Sequence, residues 1–381
     1  MNRKKKTSLA GVGIILFLIA AYFLYVFVYR LNFEPSTVLT QTNTDAAVYS
    51  LDEFIHVLNE FPQLYSEKQK EQCESEEEYG TYVIPGLKAT RSISGKKHEV
   101  DMCTSMTPQG MAITDKYILV TAYCHTQEHN SVIYMIDKET HEFIKEIVLP
   151  GHPHAGGFAY DPDHDNVWVS STRGGVPTAN SYKLSSMENY SLDEAGGALP
   201  FEQKIALDQA RSNSYMTYRN NALYIGSFDL KEAGELFKFS MDDTGRIISG
   251  IAEDGEEIEK DEILPIDYVT MPSKVQGISF LNERYLMVSE SYGMVESRLQ
   301  IFENTSAQSI DFEFSDDKAV LSYDLPDKLE YACAADGKIY MLFEAAAYAY
   351  RIRPMYNVDR IITVDIDTKA LQNQDMQEQN E

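Results

Sequence analysis

One short pattern recurs five times along this chain: an apolar strand, a polar turn and a second apolar strand. The first copy, GMAITDKYILV, starts at residue 110, and the later copies start at residues 157, 214, 277 and 331. Hairpins that recur roughly every 40–60 residues are typical of the four-stranded blades of a β-propeller. The sequence therefore predicts an all-β β-propeller, for which five blades are favoured and six are possible.

The ring of blades needs a strand from outside the last repeat. The last repeat supplies only three predicted strands, because residues 367–381 are polar. We expect residues 81–89 to supply the missing strand, since a sheet shared between the first and last segments leaves no unpaired edge. A sixth blade would have to come from residues 88–100 combined with an insertion.

The N-terminal segment is strongly apolar. Residues 9–29 contain no charged side chain, and as a helix they would reach about 30 Å, the thickness of a hydrocarbon core. Basic residues at positions 3–6 favour a cytoplasmic N-terminus. We expect a retained single-pass transmembrane helix, with a cleaved signal peptide as the alternative. Either interpretation places the main domain outside the cell.

Four regions follow from these patterns. Residues 1–30 would form a cytoplasmic tip and the transmembrane anchor, residues 31–80 a stalk and helical neck, residues 81–367 the propeller, and residues 368–381 a disordered polar tail. The neck begins where Ser50 and Glu53 have the spacing of a capping box, ahead of apolar residues at helical spacing. This neck is expected to pack on the propeller or on a partner.

Charge narrows the choice of partners. The first 30 residues contain five basic and no acidic residues, so the remainder carries a formal charge of −31, against −26 for the whole chain. A nucleic-acid-binding domain needs a basic face to contact phosphates. Nucleic acid is therefore not expected as a partner. The predicted partners are the membrane, through residues 9–29, and an envelope protein or glycan.

The four cysteines do not form a C-x-x-C motif. Cys103 lies just before the first repeated hairpin and Cys124 just after it, so folding of that hairpin brings them together. In an exported domain this arrangement predicts a Cys103–Cys124 disulfide. Cys333 alternates with apolar residues and is interpreted as a small buried side chain.

A binding site is predicted at the channel mouth. The start of each hairpin's first strand and the end of its second strand lie on the same side, so the polar residues at these positions should meet. The predicted ligand-binding residues are Gln109, Tyr123, His125, His154, Arg173, Asn213, Gln276, Glu290, Tyr292, Glu330 and Glu344.

Histidines raise the possibility of a metal. His152 and His154 are two residues apart, so in an extended segment their rings lie on the same side and, with a carboxylate, suit Zn, Mn or Fe. The alternative is a rigid linker between blades whose imidazoles bond to the backbone. The cofactor is left unknown, with a divalent metal possible but not favoured. The acidic stretch at residues 161–166 is interpreted as a turn rather than a calcium loop.

Three of the repeats resemble the YncE-like and senescence-marker-protein/gluconolactonase-like β-propellers. The residues that carry the resemblance are PQGMAI at residues 108–113, HAGGFAYDP at 154–162 and VQGISF at 275–280. The resemblance implies a propeller fold and, in the lactonase-like members, a glutamate before the glycine that helps to bind a divalent metal. Gln109 and Gln276 stand at those positions here, and glutamine lacks the negative charge of that ligand.

The sequence thus predicts a membrane-anchored extracytoplasmic β-propeller that acts as a binding or scaffold module at the cell envelope. No complete catalytic motif is present, so enzymatic activity is not expected to be the main role. The alternative is a metal-dependent hydrolase, lactonase- or glycosidase-like, with its site at the channel mouth. That alternative requires His152 or His154 to converge with Glu330, Glu344 or His125.

Overall fold

A computed structural model describes residues 3–31, 46–65, 71, 73, 75, 77, 79–207, 210–248, 263–306, 309–352 and 354–366. The chain divides into two compact units, Met1–Ser36 and Thr37–Glu381. Most of the predicted stalk and the whole predicted tail, residues 368–381, lie outside the described residues.

The first unit contains helix α1 (Arg3–Leu31). Its side chains are described at residues 11–25, 27 and 28, and nearly all of these are exposed. Within the described residues, no helix combines the length and apolar character needed to cross a membrane.

The second unit is a five-bladed β-propeller, as predicted. Each blade is a four-stranded antiparallel sheet, and Val, Ile, Leu, Tyr and Phe give the inner strands of each blade buried side chains. The first blade consists of β4 (Met106–Ile113), β5 (Tyr117–Cys124), β6 (Val132–Asp137) and β7 (Phe143–Val148). The second consists of β8 (Phe158–Asp161), β9 (Asn166–Arg173), β10 (Val176–Lys183) and β11 (Gln203–Ala206).

The third blade is formed by β12 (Tyr215–Arg219), β13 (Ala222–Gly226), β14 (Gly234–Ser240) and β15 (Asp267–Met271). The fourth is formed by β16 (Val275–Phe280), β17 (Tyr285–Glu290), β18 (Ser297–Glu303) and β19 (Ala319–Leu325). The innermost strands β4, β8, β12 and β16 contact one another in chain order, and the fifth blade's β20 (Leu329–Ala335) contacts both β16 and β4. The blades therefore form a closed ring around a central channel.

An N-terminal strand completes the fifth blade. β20 pairs with β21 (Lys338–Phe343), β21 with β22 (Arg360–Asp365), and β22 with β1 (Thr81–Val83). This confirms the prediction that residues 81–89 supply the missing strand, although the strand itself is only three residues long. Residues 88–100 do not form a sixth blade. They contribute instead to a two-stranded sheet of β2 (Thr90–Ile93) and β3 (Val100–Cys103).

The neck helix α2 (Leu51–Glu60) packs on the propeller. Ser50 and Glu53 form the predicted capping box at its start. Phe54, Val57 and Leu58 are buried in a cluster with apolar side chains of the fourth and fifth blades. The apolar face of the neck is therefore covered by the chain's own propeller, which favours the intramolecular alternative.

One of the two predicted surface insertions is described by the structure. The one predicted at residues 188–199 contains part of α3 (Leu184–Asn189) and all of α4 (Leu192–Ala195). The acidic insertion at residues 251–261 lies outside the described residues. At residues 161–166 the Asp161 carboxylate accepts hydrogen bonds from the backbone N–H groups of Asp163 and His164, each 3.1 Å long, which confirms the turn interpretation.

Candidate functional site

A pocket of about 500 Å³ opens at the end of the channel where the innermost strands begin. Polar and aromatic side chains from the loops and strands of all five blades converge on it. It is lined by Gln109, His154, Ser214, Phe228, Gln276, Ser291, Tyr292, Gly293, Lys328, Glu330, Glu344 and Tyr350. A concave site with a few convergent polar groups is the usual form of a small-molecule site.

β-Bulges direct three of these side chains into the pocket. The pairing register shifts near the start of β4, β16 and β20, and the residues in the bulges are Gln109, Gln276 and Glu330, respectively. A bulge inserts one extra residue and re-aims its side chain. The same distortion at the same place in three blades thus supplies polar groups from strands that are otherwise apolar.

Two buried carboxylic acids form the pocket's most unusual feature. Glu330 and Glu344 are only 7% and 8% exposed. One ammonium lies nearby: Lys328 Nζ is 4.0 Å from Glu344 Oε1 and 4.3 Å from the centre of the Tyr350 ring. The distance to Glu344 is at the outer limit of a salt bridge, and the Tyr350 ring also attracts the ammonium through a cation–π contact.

The pKa values of these two groups reflect their burial. Burial, and then the neighbouring Glu344 carboxylate, raises the pKa of Glu330 well above its ordinary value. Burial also raises the pKa of Glu344 to about 8, although the Lys328 ammonium opposes this shift. At neutral pH the pair therefore retains at least one proton, because a single ammonium does not offset two buried negative charges.

Gln109 offers an unsatisfied acceptor to the pocket. Its Nε2 group donates to the Pro108 carbonyl at 2.7 Å and to Glu344 Oε2 at 3.4 Å, and these two acceptors fix the orientation of the amide. Its Oε1 atom is buried and accepts no hydrogen bond from the described residues. Because a buried polar atom without a partner costs about 1–3 kcal/mol, this oxygen favours a ligand that donates a hydrogen bond.

Two histidines and two tyrosines lie together at one side of the pocket, and two of them, His154 and Tyr350, belong to its lining. The Tyr123 ring stacks on His154 with 4.3 Å between ring centres, and the Tyr123 hydroxyl lies 3.2 Å from His125 Nδ1. Tyr350 meets His125 edge to face. Partial desolvation by the surrounding protein, followed by the nearby His125, lowers the pKa of His154, although the residue as a whole is exposed at the pocket.

Close backbone packing positions His154. Ala155 has a left-handed φ of 58°. A Cβ on Gly157 would lie 2.6 Å from the Asn213 carbonyl oxygen, so only glycine permits this approach between the second and third blades.

Tyr331 closes the channel below the pocket. Its ring is buried, and its hydroxyl lies 3.2 Å from the carbonyl oxygens of both Phe158 and Ile278. It also reaches the carbonyl of Met216, so innermost strands of three other blades meet at one hydroxyl. Tyr331 therefore blocks the channel, and the pocket is a cup rather than the entrance to an open pore.

The structure brings six of the eleven predicted binding residues to the pocket lining: Gln109, His154, Gln276, Tyr292, Glu330 and Glu344. Tyr123 and His125 lie beside His154 and Tyr350, as described above. Asn213 is turned away, because its amide donates to the carbonyls of Ser171 and Thr178, and its neighbour Ser214 takes its place. Arg173 is an exposed residue at the end of β9 and lies outside the lining.

Glu290 also lies outside the lining. The main cause that raises its pKa is burial, which Arg298 and Lys274 oppose.

The important residues absent from the prediction are Lys328 and Tyr350. Lys328 precedes the bulge residue of its strand by two positions, as Lys274 does in the fourth blade, and both lysines have a positive φ. This shared spacing could have predicted from the sequence that Lys328 lies at the pocket. Tyr350 lies in an irregular segment after β21, where strand periodicity gives no signal.

The two predicted metal-binding histidines have different surroundings. His152 Nδ1 donates to the His129 carbonyl at 2.8 Å and is not part of the pocket lining, whereas His154 is. Among the described residues, the one group of three potential ligands with ligand atoms within 4.8 Å of one another is Cys103, Cys124 and His129.

The predicted disulfide partners are close but free. Cys103 and Cys124 are both buried thiols, and the Ser105 hydroxyl lies 3.6 and 3.4 Å from their sulfur atoms. The disulfide therefore stays a prediction. Cys333 is 8% exposed, which confirms its interpretation as a buried side chain.

The fold and the pocket together define a five-bladed β-propeller with a closed, acidic cup at the mouth of its channel. No family model and no curated protein matches the chain. Solved propellers resemble it in fold. One is the PQQ-bound form of an aldose sugar dehydrogenase from Streptomyces coelicolor, 12% identical, covering 69% of this chain and 78% of the other with a TM-score of 0.39.

Two further structures have comparable similarity. A protein of unknown function from Bacteroides thetaiotaomicron is 10% identical over 75% of each chain, with a TM-score of 0.35. The WD40 repeats of RRP9 are 10% identical over 73% of this chain and 99% of the other, with a TM-score of 0.34. These likenesses extend no further than the fold, and the propeller is established by the strand order of this chain itself.

Proposed function

We propose that this protein is a binding module whose channel mouth takes a small ligand with a cationic nitrogen group. The observation that carries the proposal is the pair of buried carboxylic acids, Glu330 and Glu344, beside the single ammonium of Lys328. Burial otherwise keeps these two carboxylic acids protonated. A second cation placed between them would balance the negative charge of their ionised forms.

The remaining groups of the pocket support the same ligand class. The Gln109 Oε1 atom, buried and without a described donor, is suited to accept an N–H group. Tyr350 already holds one ammonium over its ring, and Tyr292 and Phe228 add aromatic surface to the lining. Carboxylates combined with aromatic faces are a common way to recognise ammonium groups. Cationic nitrogen occurs on lysine side chains and on amino sugars, which suits the envelope protein or glycan expected as a partner.

Binding of such a ligand should be linked to pH. A cation favours the ionised carboxylates, so it binds with release of a proton while the pair is protonated. The affinity should therefore rise as the pH increases from 6 toward about 8, the pKa of Glu344. The rise should approach about tenfold per pH unit for each proton released.

Calorimetry on the purified full-length chain tests this proposal. The probes are 1,4-diaminobutane, a quaternary alkylammonium ion and glycerol as the neutral control. We expect 1,4-diaminobutane to bind, the quaternary ion to bind more weakly because it has no N–H group to donate to Gln109 Oε1, and glycerol not to bind. Glu344→Gln should weaken amine binding by roughly 30-fold or more, since truncation of one partner of a buried charge pair costs about 2–5 kcal/mol. Glu283→Gln, far from the mouth, is the matched control. Amine binding that is unchanged in Glu344→Gln would contradict the proposal.

The cellular setting proposed for this module is the outer face of the membrane, with residues 9–29 as the anchor. Its support is the sequence itself: an uncharged stretch of 21 residues preceded by a basic cluster. Deletion of residues 1–36, the separate N-terminal unit, should move the protein from the membrane fraction to the soluble fraction. Protease added to intact cells should degrade the propeller only if it lies outside.

A second candidate function, hydrolysis of a glycosidic or lactone bond, rests on one observation. The pKa of Glu344 lies close to neutrality and a second carboxylic acid lines the same pocket, as general acid catalysis requires. Among the described residues the mouth contains no set of three close metal ligands, so this candidate is formulated without a metal. Chromogenic aryl glycosides and lactones test it: turnover that disappears in Glu344→Gln supports hydrolysis, and amine binding without turnover supports the binding module.

A further inference from the structure

A second cluster of reactive side chains lies on the first blade, apart from the pocket lining. Cys103 is the last residue of β3, Cys124 is the last residue of β5, and His129 lies in the loop before β6. Both thiols are almost completely buried, at 0% and 1% exposure, whereas the imidazole is half-buried. Their ligand atoms all lie within 4.8 Å of one another.

We propose that the reduced Cys103 and Cys124 thiols, together with His129, form a binding site for Zn²⁺. Sulfur and imidazole nitrogen are the ligands that zinc prefers, and a site with three protein ligands leaves a fourth position for water. Tetrahedral bonds of about 2.3 Å to sulfur and about 2.1 Å to nitrogen place ligand atoms roughly 3.5–3.8 Å apart. The distance from Cys124 Sγ to His129 Nδ1 is 3.8 Å, so only small movements are needed.

The surroundings of the cluster suit two thiolates. The Ser105 hydroxyl is within hydrogen-bonding distance of both sulfur atoms, and the Thr126 hydroxyl lies 3.3 Å from Cys124 Sγ. Hydroxyl donors of this kind stabilise negative charge on metal-bound sulfur. Thr126 is exposed and His129 is half-buried, so the cluster lies close to the protein surface.

The backbone holds His129 in place. His129 forms an isolated antiparallel bridge with Ser94, and its carbonyl oxygen accepts the 2.8 Å hydrogen bond from His152 Nδ1. His152 was predicted as a metal ligand at the channel mouth. It instead bonds to the backbone of His129, a ligand of the proposed zinc site.

A metal at this position would join two segments. Cys103 belongs to the two-stranded β2–β3 sheet, which is outside the blades, whereas Cys124 and His129 belong to the first blade. Binding to the folded chain alone raises stability, so zinc should increase the melting temperature. The zinc ion would therefore stabilise the fold, and its binding would not depend on a ligand at the channel mouth.

The test uses the full-length chain purified under a phosphine reductant and freed of metal by chelation. Competition with a chromogenic zinc chelator should show one zinc ion per chain. Cobalt substitution should give thiolate-to-cobalt charge-transfer absorption. Cys124→Ser should abolish both signals, and His129→Ala, which alters a half-buried side chain and should leave the fold intact, should weaken binding by at least tenfold. Cys333→Ser and Cys73→Ser are the control variants and should bind zinc like the wild type.

Three results would overturn the proposal. The first is a reduced chain that binds no zinc, and the second is zinc binding that survives in Cys124→Ser with the same stoichiometry. The third is isolation of the protein as a Cys103–Cys124 disulfide, shown by peptide mapping without reductant, which would establish the bridge predicted from the sequence instead.

Discussion

Two cavities of nearly equal size lie on opposite faces of the propeller and differ in how their charges are paired. The channel-mouth pocket has a volume of about 500 Å³, and a cavity between the third and fourth blades has a volume of about 480 Å³. In the second cavity Arg219 pairs with Glu283, and Arg284 pairs with Glu303. The third basic residue there, Lys238, is partly exposed, and its ammonium lies 5.8 Å from the centre of the Tyr224 ring. At the mouth, two buried carboxylic acids face one ammonium.

The difference shows that charged groups buried without solvent or enough opposite charge, rather than volume, mark the candidate site. Glu283 is 80% exposed and Arg219 also lies over the Phe280 ring, so water and neighbours already satisfy both groups. Glu330 and Glu344 have neither solvent nor enough positive charge. Binding and catalytic sites commonly contain a titratable group that its surroundings keep in an unfavourable protonation state.

The largest effect that separates the two cavities should be the pH dependence of stability. The folded-state pKa of Glu344 is raised to about 8 from an ordinary value of 4.5, so its protonated form stabilises the native state at low pH. This contribution is fully present below about pH 4.5 and is lost as the pH rises to about 8. The free energy of unfolding should fall by up to about 1.4 kcal/mol per pH unit for each proton involved.

Urea unfolding of the full-length chain between pH 5 and pH 8 measures this slope. The double variant Glu330→Gln, Glu344→Gln should flatten it, because neither glutamine titrates. Glu283→Gln is the matched change in the other cavity and should leave the slope as in the wild type. Equal slopes in all three proteins would show that the mouth carboxylic acids are not held protonated, and the contrast between the cavities would disappear.

The sequence predicts the propeller well because the fold depends on a local and repeated signal. Each hairpin carries its own apolar alternation, so five copies can be counted without knowledge of how they pack. The closure by β1 also follows from counting, since one strand was missing from the last sheet. Residues 88–100 could not be assigned in this way, because the strands of a two-stranded sheet and of half a blade show the same alternation of apolar and polar residues.

The site was less predictable because it depends on distortions and loops. Strand polarity placed Gln109, Gln276 and Glu330 at the mouth, and the β-bulges then directed their side chains into the pocket. Asn213 has the equivalent sequence position in the third blade, yet backbone carbonyls capture its amide. Tyr350 comes from an irregular segment, and burial of Glu344 could not be read from its neighbours in the chain.

A second prediction concerns the floor that separates the mouth from the rest of the channel. Tyr331→Phe removes one hydroxyl that lies near the carbonyls of Phe158, Met216 and Ile278. We expect a loss of about 1–3 kcal/mol in the free energy of unfolding, the usual cost of leaving buried polar atoms unpaired. Tyr268→Phe, at a tyrosine that is 63% exposed, should have almost no effect. If the two variants are equally stable, the Tyr331 hydroxyl does not hold the blades together.

The smallest effect should come from the cavity whose carboxylates are ion-paired and, in the case of Glu283, exposed to water. Glu283→Gln removes the exposed partner of Arg219, and exposed ion pairs usually contribute only about 0–1 kcal/mol. Arg219 keeps its contact with the Phe280 ring, 4.6 Å from the guanidinium carbon to the ring centre, so its side chain should stay in place. Urea unfolding at pH 7 should therefore give a free energy within about 1 kcal/mol of the wild type, and high salt should reduce the difference further. A larger loss, insensitive to salt, would mean that this pair is as poorly solvated as the carboxylic acids at the mouth, and pairing alone would no longer distinguish the two cavities.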